Sequence, residues 1–195
     1  ALGGKSADFG KTCNDDNGAL YKHDMQAQDV HFETQPLETA PPTATSMIFV
    51  TPDSERSMNT YLGACVELGP EDIEEDVVKE SQVTYFEGYL WDPPRAKDAI
   101  RLACDIAHGA GRKTAITLSD TFCVDRYRDE FVDLLRSGAV DIVFANDGEA
   151  RALYQTSDLN SALNALAEDC QLAIVTQGSE GSITVTREKR SVCPA

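Results

Sequence analysis

The chain has 195 residues, 42% hydrophobic and 26% charged, which excludes a disordered or fibrous protein and suits one globular domain or most of one. With 33 acidic residues against 17 basic, the formal charge of −16 excludes the broad basic surface of a nucleic-acid binder, leaving room only for a local basic pocket around one nucleotide. Apolar runs such as Met47-Ile48-Phe49-Val50 fall far short of the ~18 residues of a membrane span, so no membrane partner is expected.

Taken in chain order, the Gly-rich residues 1–12 lead to Asp15-Asp16-Asn17-Gly18, a turn and helix-entry signal, and a helix is expected from about Ala19 to Gln28. Gln35 to Pro42 reads as a connection. Thr45–Thr51 and Ser57–Leu62 are strand-like runs around Pro52-Asp53-Ser54-Glu55-Arg56, the pattern of a hairpin with a longer loop. The hairpin is assigned to residues 43–63 and an α/β core to 69–195, within a single incomplete domain.

Pro70 is placed to open a helix running through Val78, helped by the acidic residues that follow it. Strands are then expected at Val83–Phe86, Thr114–Leu118, Asp141–Ala145, Leu172–Thr176 and Ser182–Thr186. Between them lie helices at Arg95–His108, Asp125–Leu135, Glu149–Tyr154 and Asn160–Ala167. Strands separated by such helices predict right-handed βαβ units on a mostly parallel, doubly wound α/β sheet. Ligands of such sheets bind beyond the carboxyl ends of the strands, which gathers Glu87-Gly88-Tyr89, Ser119-Asp120, Asn146–Glu149 and Thr176–Gly181 along one edge.

The six cysteines are spread so that no two lie closer than nineteen positions, which excludes a Cys-x-x-Cys metal or redox pair. Reduced thiols are expected, with Cys104 and Cys170 packing as small hydrophobes. Together with the lack of a signal peptide, they make the cytoplasm the expected location. His23, His31 and His108 share no ligand spacing and are expected at the surface or at helix ends.

Four strand ends carry possible chemistry. Asn146-Asp147-Gly148-Glu149 puts an amide and a carboxylate on the first turn of a helix. The pair can hold a hydrated Mg²⁺ or orient phosphates, but it has equally the pattern of a capping box. Thr176-Gln177-Gly178-Ser179-Glu180-Gly181 can bring backbone close to a ligand, or can simply join two strands. Tyr89 can stack on a base or sugar face, or pack as a core tyrosine. The sequence holds no Walker P-loop, no Gly-x-Gly-x-x-Gly after a strand, and no Gly-x-Ser-x-Gly elbow.

Taken in order, the hairpin Thr51–Thr60, Glu87-Gly88-Tyr89-Leu90, Leu118-Ser119-Asp120, Asn146-x-x-Glu149 and Thr176-x-Gly178-x-x-Gly181 resemble the ribokinase/PfkB family of sugar and nucleoside kinases. Within it, the hairpin and the Leu-Ser-Asp-x-Phe-Cys segment are most similar to the bacterial adenosine-kinase-like branch. The resemblance implies phosphoryl transfer from ATP, with Mg²⁺, to a hydroxyl of a sugar or nucleoside, with an adenosine-like acceptor favoured. It implies nucleotide contacts at Asn146, Glu149, Thr176, Gly178 and Gly181, with Glu149 reaching Mg²⁺ through water. It also implies acceptor contacts at Arg56, Glu87, Tyr89 and Asp120, a hairpin that closes as a lid, and a possible homodimer through that lid.

The chain departs from the family pattern in three places. Gly3-Gly4 is followed by Lys5-Ser6-Ala7-Asp8 rather than by the family's Gly-Gly-x-x-x-Asn, and Cys13-Asn14 replaces a more usual Val-Gly. The Gly-Ala-Gly-Asp signature, whose Asp is the family's catalytic base, does not occur. With a start at Ala1-Leu2 rather than Met, the chain is therefore read as a fragment, inactive by itself and poorly folded in isolation. The competing readings are a catalytically dead binding module of the same fold and an unrelated doubly wound binding protein.

Overall fold

A computed structural model describes residues 3–195, so the Ala1-Leu2 start lies outside the described residues. The described residues form two compact units, one reaching to residue 74 together with 93–99, the other 75–92 together with 100–195.

In the first unit, helix α1 (Asp16–Ala27) begins three residues before the expected Ala19, because Asp15 is its cap. The Asp15 carboxylate accepts the Gly18 N–H at 2.8 Å and the Thr43 hydroxyl at 2.7 Å. Gly18 is required there, since a Cβ would lie 2.1 Å from the Cys13 carbonyl. Strands β1 (Ser6–Ala7) and β2 (Val30–His31) pair in parallel and are too short for any alternation to reveal them.

The expected hairpin is present as β3 (Thr45–Val50) and β4 (Arg56–Tyr61), in register from Thr45 opposite Tyr61 to Val50 opposite Arg56. Every residue of both strands is exposed, which explains why the sequence shows no clean alternation there.

The expected Pro70–Val78 helix is broken. A 3₁₀ turn spans Pro70–Asp72, and α2 (Glu75–Glu80) starts afresh. The Asp72 carboxylate turns back to the Gly69 N–H at 3.0 Å, as in a capping box, and pairs with the half-buried Lys11 ammonium at 2.6 Å; the turn then ends at Ile73, whose backbone is extended.

The second unit carries a six-stranded sheet in the order β10-β9-β8-β7-β6-β5. Its strands are β5 (Val83–Glu87), β6 (Lys113–Thr117), β7 (Ile142–Asn146), β8 (Leu172–Thr176), β9 (Ser182–Val185) and β10 (Arg190–Cys193). Strands β5 to β8 run parallel, and β9 and β10 return antiparallel. This is the mostly parallel α/β architecture that the sequence predicts. Strand β10 adds one strand beyond those expected, paired antiparallel with β9.

The crossovers are α3 (Pro94–Gly109, of which the part from Ile100 belongs to this unit), α4 (Thr121–Arg136), and α5 (Asp147–Leu153) with α6 (Leu159–Asp169). Because the parallel strands follow one another in sequence order, right-handed crossovers bring their helices to one face. There Phe86, Ile116, Val143 and Val175 pack with Phe131, Leu135, Leu163 and Leu166 in one core. Each large side chain so buried contributes about 1.5–3 kcal/mol. On the other face Tyr85 and Phe144 meet edge to face at 6.3 Å and remain partly open to solvent.

All six cysteines are free, with Cys104 and Cys170 buried as expected. His108 does sit at a helix end, but it is tied to the buried Asp141 at 2.9 Å. Among the described residues no helix is long and apolar enough to cross a membrane.

Candidate functional site

The parallel register aligns the carboxyl ends of β5 to β8, with Glu87 opposite Thr117 and Asn146 opposite Thr176. Eight of the nine expected site residues lie on this edge or in the turns leaving it. Arg56 belongs to the first unit, as the opening residue of β4.

Asn146 ends β7 and caps α5. Its side-chain oxygen accepts the Glu149 N–H at 2.8 Å, and the Glu149 carboxylate accepts the Asn146 N–H at 2.9 Å and the Asn146 amide at 2.7 Å. The capping box is therefore real, and the chain uses it to bury a carboxylate at a strand end. Burial pushes the Glu149 carboxyl above its usual range, with the Asn146 N–H opposing the shift and the Asp120 charge adding to it.

At the end of β8, a 3₁₀ turn over Gly178–Glu180 leads into β9, and the Gln177 N–H donates to the Gly181 carbonyl at 2.8 Å. The two glycines differ in what they do. Gly178 has a left-handed φ of 56° and open space where a Cβ would stand. Gly181, at φ 97°, would place a Cβ 2.1 Å from the Cys193 carbonyl, so its close approach is to the chain's own backbone. Thr176 directs its hydroxyl to the Ala145 carbonyl at 3.5 Å.

At the β5 and β6 ends, Gly88 lets two strand exits touch, since a Cβ there would stand 2.7 Å from the Leu118 carbonyl. Glu87 is exposed as the last residue of β5. Tyr89 follows in a 3₁₀ turn over Gly88–Trp91 with half its surface exposed, so it is no core tyrosine. Its hydroxyl donates to Asp120 at 2.8 Å, and its N–H donates to the Ser119 hydroxyl at 3.3 Å. Burial, then the hydrogen bond to Asp120, pushes the Tyr89 phenol up to about 12. The other Asp120 oxygen caps α4 by accepting the Cys123 N–H at 2.6 Å.

The sequence places Ser119 on this edge and Cys123 just beyond it but assigns a role to neither. Ser119 holds a left-handed φ of 73°, unusual for a residue other than Gly or Asn, and nothing local announces it. The buried Cys123 thiol donates to the Gly88 carbonyl at 3.2 Å, and burial pushes it up to about 11.

No group of three or more His, Cys, Asp or Glu side chains suited to a metal occurs among the described residues. A caged ion therefore does not fit this edge. A hydrated Mg²⁺ shared with phosphates does fit, because such ions keep several waters and need one or two carboxylates. Glu149 offers a buried carboxylate with unused lone pairs, and Gly178 offers open backbone.

The fold is a mostly parallel α/β sheet whose polar strand ends gather on one edge. The pfkB family carbohydrate kinase model matches residues 1–195, and the chain belongs to that family. It is 65% identical to the adenosine kinase from Sinorhizobium meliloti, with a TM-score of 0.97, covering 100% of this chain and 59% of that one. An ATP-dependent ribose-1-phosphate kinase of Halopiger xanaduensis is 26% identical over 193 residues, 93% of this chain and 57% of that protein. An E. coli protein described as a ribokinase II, in complex with ATP and Mg²⁺, shares the fold at a TM-score of 0.85 and 20% identity, covering 100% of this chain and 63% of that one. The chain thus spans less than two thirds of the length of these relatives.

Proposed function

We propose that this chain carries nucleotide and acceptor contacts of an ATP-dependent phosphotransferase acting on a hydroxyl of a nucleoside or sugar, with adenosine as the favoured acceptor. The observation that carries this reading is the 65% identity to an adenosine kinase across the whole chain. The alignment of Tyr89, Asp120, Asn146, Glu149 and Gly178 on one strand edge supports it.

In this reading the open backbone at Gly178 lies against the nucleotide, and Thr176 and Gly181 shape the turn that presents it. Asn146 orients Glu149, whose buried carboxylate holds a hydrated Mg²⁺ in place. When bound, Mg²⁺ neutralises charge on the phosphate oxygens. Tyr89 contacts the acceptor beside the exposed Glu87, with Asp120 behind it on the acceptor side of the edge, and Arg56 enters only through the resemblance of its hairpin. The chain's own contribution is to bind and orient, which for phosphoryl transfer is most of catalysis. The base that takes the acceptor's proton is not assigned to any residue of the chain.

The test is calorimetric titration of the protein with ATP and Mg²⁺ and, separately, with adenosine. Saturable binding of both, with ATP weakened at least tenfold by Glu149→Gln, is the expected result. Absence of binding by both would sink the reading.

A further inference from the structure

The loop that leaves β5 and the start of α4 are laced by a closed set of hydrogen bonds. The Cys123 thiol donates to the Gly88 carbonyl, and the Cys123 N–H donates to Asp120. The Tyr89 hydroxyl donates to the second Asp120 oxygen, and the Tyr89 N–H donates to Ser119. Tyr89 is therefore tethered at both ends, by its backbone and by its phenol, while half of its surface stays exposed. Gly88 keeps this arrangement tight, because any side chain there would strike the Leu118 carbonyl.

Helix capping by itself does not account for Asp120. A cap needs one oxygen, and a serine would supply it. The second oxygen, at 2.8 Å from the phenol, is the part that capping leaves unexplained. A ring fixed in advance loses little freedom when a flat partner stacks on it, whereas a swinging ring must be ordered at the moment of binding. A flat aromatic base covers the ring face more fully than the puckered C–H face of a sugar, so the gain falls mainly on a base.

We infer that Asp120 is a positioning residue that fixes the Tyr89 ring as a platform for the aromatic base of a nucleoside acceptor, and so biases the site towards nucleosides over free sugars. This rests on the phosphotransferase reading given above.

The experiment measures the binding of adenosine and of ribose by calorimetry for the wild type, Tyr89→Phe, Asp120→Ser and the double variant. Tyr89→Phe keeps the ring and the cap but removes the tether. Asp120→Ser keeps a cap for α4 but cannot reach the phenol. Each single variant is expected to weaken adenosine about fivefold to tenfold while ribose changes less than about twofold, with the double variant no weaker than the worse single. Thermal unfolding of both single variants near the wild-type midpoint shows that the loss is not a melted helix.

Adenosine binding within about twofold of wild type in either variant, equal losses for ribose, or losses that multiply in the double variant would each overturn the inference while leaving the phosphotransferase reading in place. A wild type that binds neither ATP nor adenosine removes both.

Discussion

Asn146 and Glu149 bond to each other reciprocally: the Asn146 side-chain oxygen takes the Glu149 N–H at 2.8 Å, and Glu149 returns its carboxylate to the Asn146 N–H at 2.9 Å and to the Asn146 amide at 2.7 Å. The same two residues thus start α5 and hold a buried carboxylate at the end of β7. The Glu149 carboxyl is raised above its unfolded value, so it favours folding below that value and loses this contribution as pH rises through the folded value. Glu149→Gln keeps a capping-box residue and removes the ionisable carboxyl. The variant is expected to unfold within about 1 kcal/mol of wild type, or later, in denaturant at pH 7, while losing at least tenfold in ATP binding.

The two glycines of the β8–β9 turn separate a structural need from an open one. Gly181→Ala forces a Cβ onto the Cys193 carbonyl in a backbone region reserved for glycine, and a loss of about 3 kcal/mol or more is expected from denaturant unfolding. Gly178→Ala meets nothing and pays only the left-handed penalty of about 1–2 kcal/mol. If Gly178 lies against phosphate, its alanine variant loses ATP binding out of proportion to that stability cost.

Asp141 is buried at the opposite, amino end of the sheet. It accepts the Thr114 N–H at 2.8 Å and the Gln171 amide at 2.6 Å, beside His108 at 2.9 Å. Burial pushes its carboxyl up, but the hydrogen bonds from Thr114 and His108 outweigh this and hold it below the usual range. A lowered carboxyl contributes stability above its unfolded value of about 3.9, and that contribution fades as pH falls through the folded value. Asp141→Asn faces donors with a donor and is expected to cost about 2–3 kcal/mol at pH 7. The gap from wild type in chemical unfolding should narrow below about pH 4.

Both faces of the β3–β4 hairpin are exposed within its unit, with Met47, Ile48, Phe49, Val50, Met58 and Tyr61 each more than half open. Apolar strands with unpaired edges invite pairing with another chain, and we expect a second copy of this chain to supply it. Sedimentation should then show concentration-dependent dimers that Phe49→Glu shifts to monomer. A monomer at all concentrations would dismiss the idea.

Much of the architecture was legible because the decisive signals are local. Leu172–Thr176 matches its expected span, the strand–helix alternation from Val83 onward gives the parallel sheet, and Asn146-x-x-Glu149 announces its own cap. These features depend on backbone periodicity and on partners within one helical turn, which a sequence displays directly.

What the sequence did not display depends on partners far along the chain. The helix expected from Pro70 gives way to a short turn that ends at Ile73, while Asp72 meets Lys11, 61 positions away. His108 ceases to be a bland helix end because Asp141 lies 33 positions on. Ser119 takes its left-handed turn where two strand exits cross, and Tyr89 finds Asp120 only once β5 and β6 lie side by side. The residue types alone determined which groups could cap, stack or hold a cation. Only tertiary packing decided which were brought within hydrogen-bonding distance, because contacts across tens of residues exist only after the sheet has ordered them.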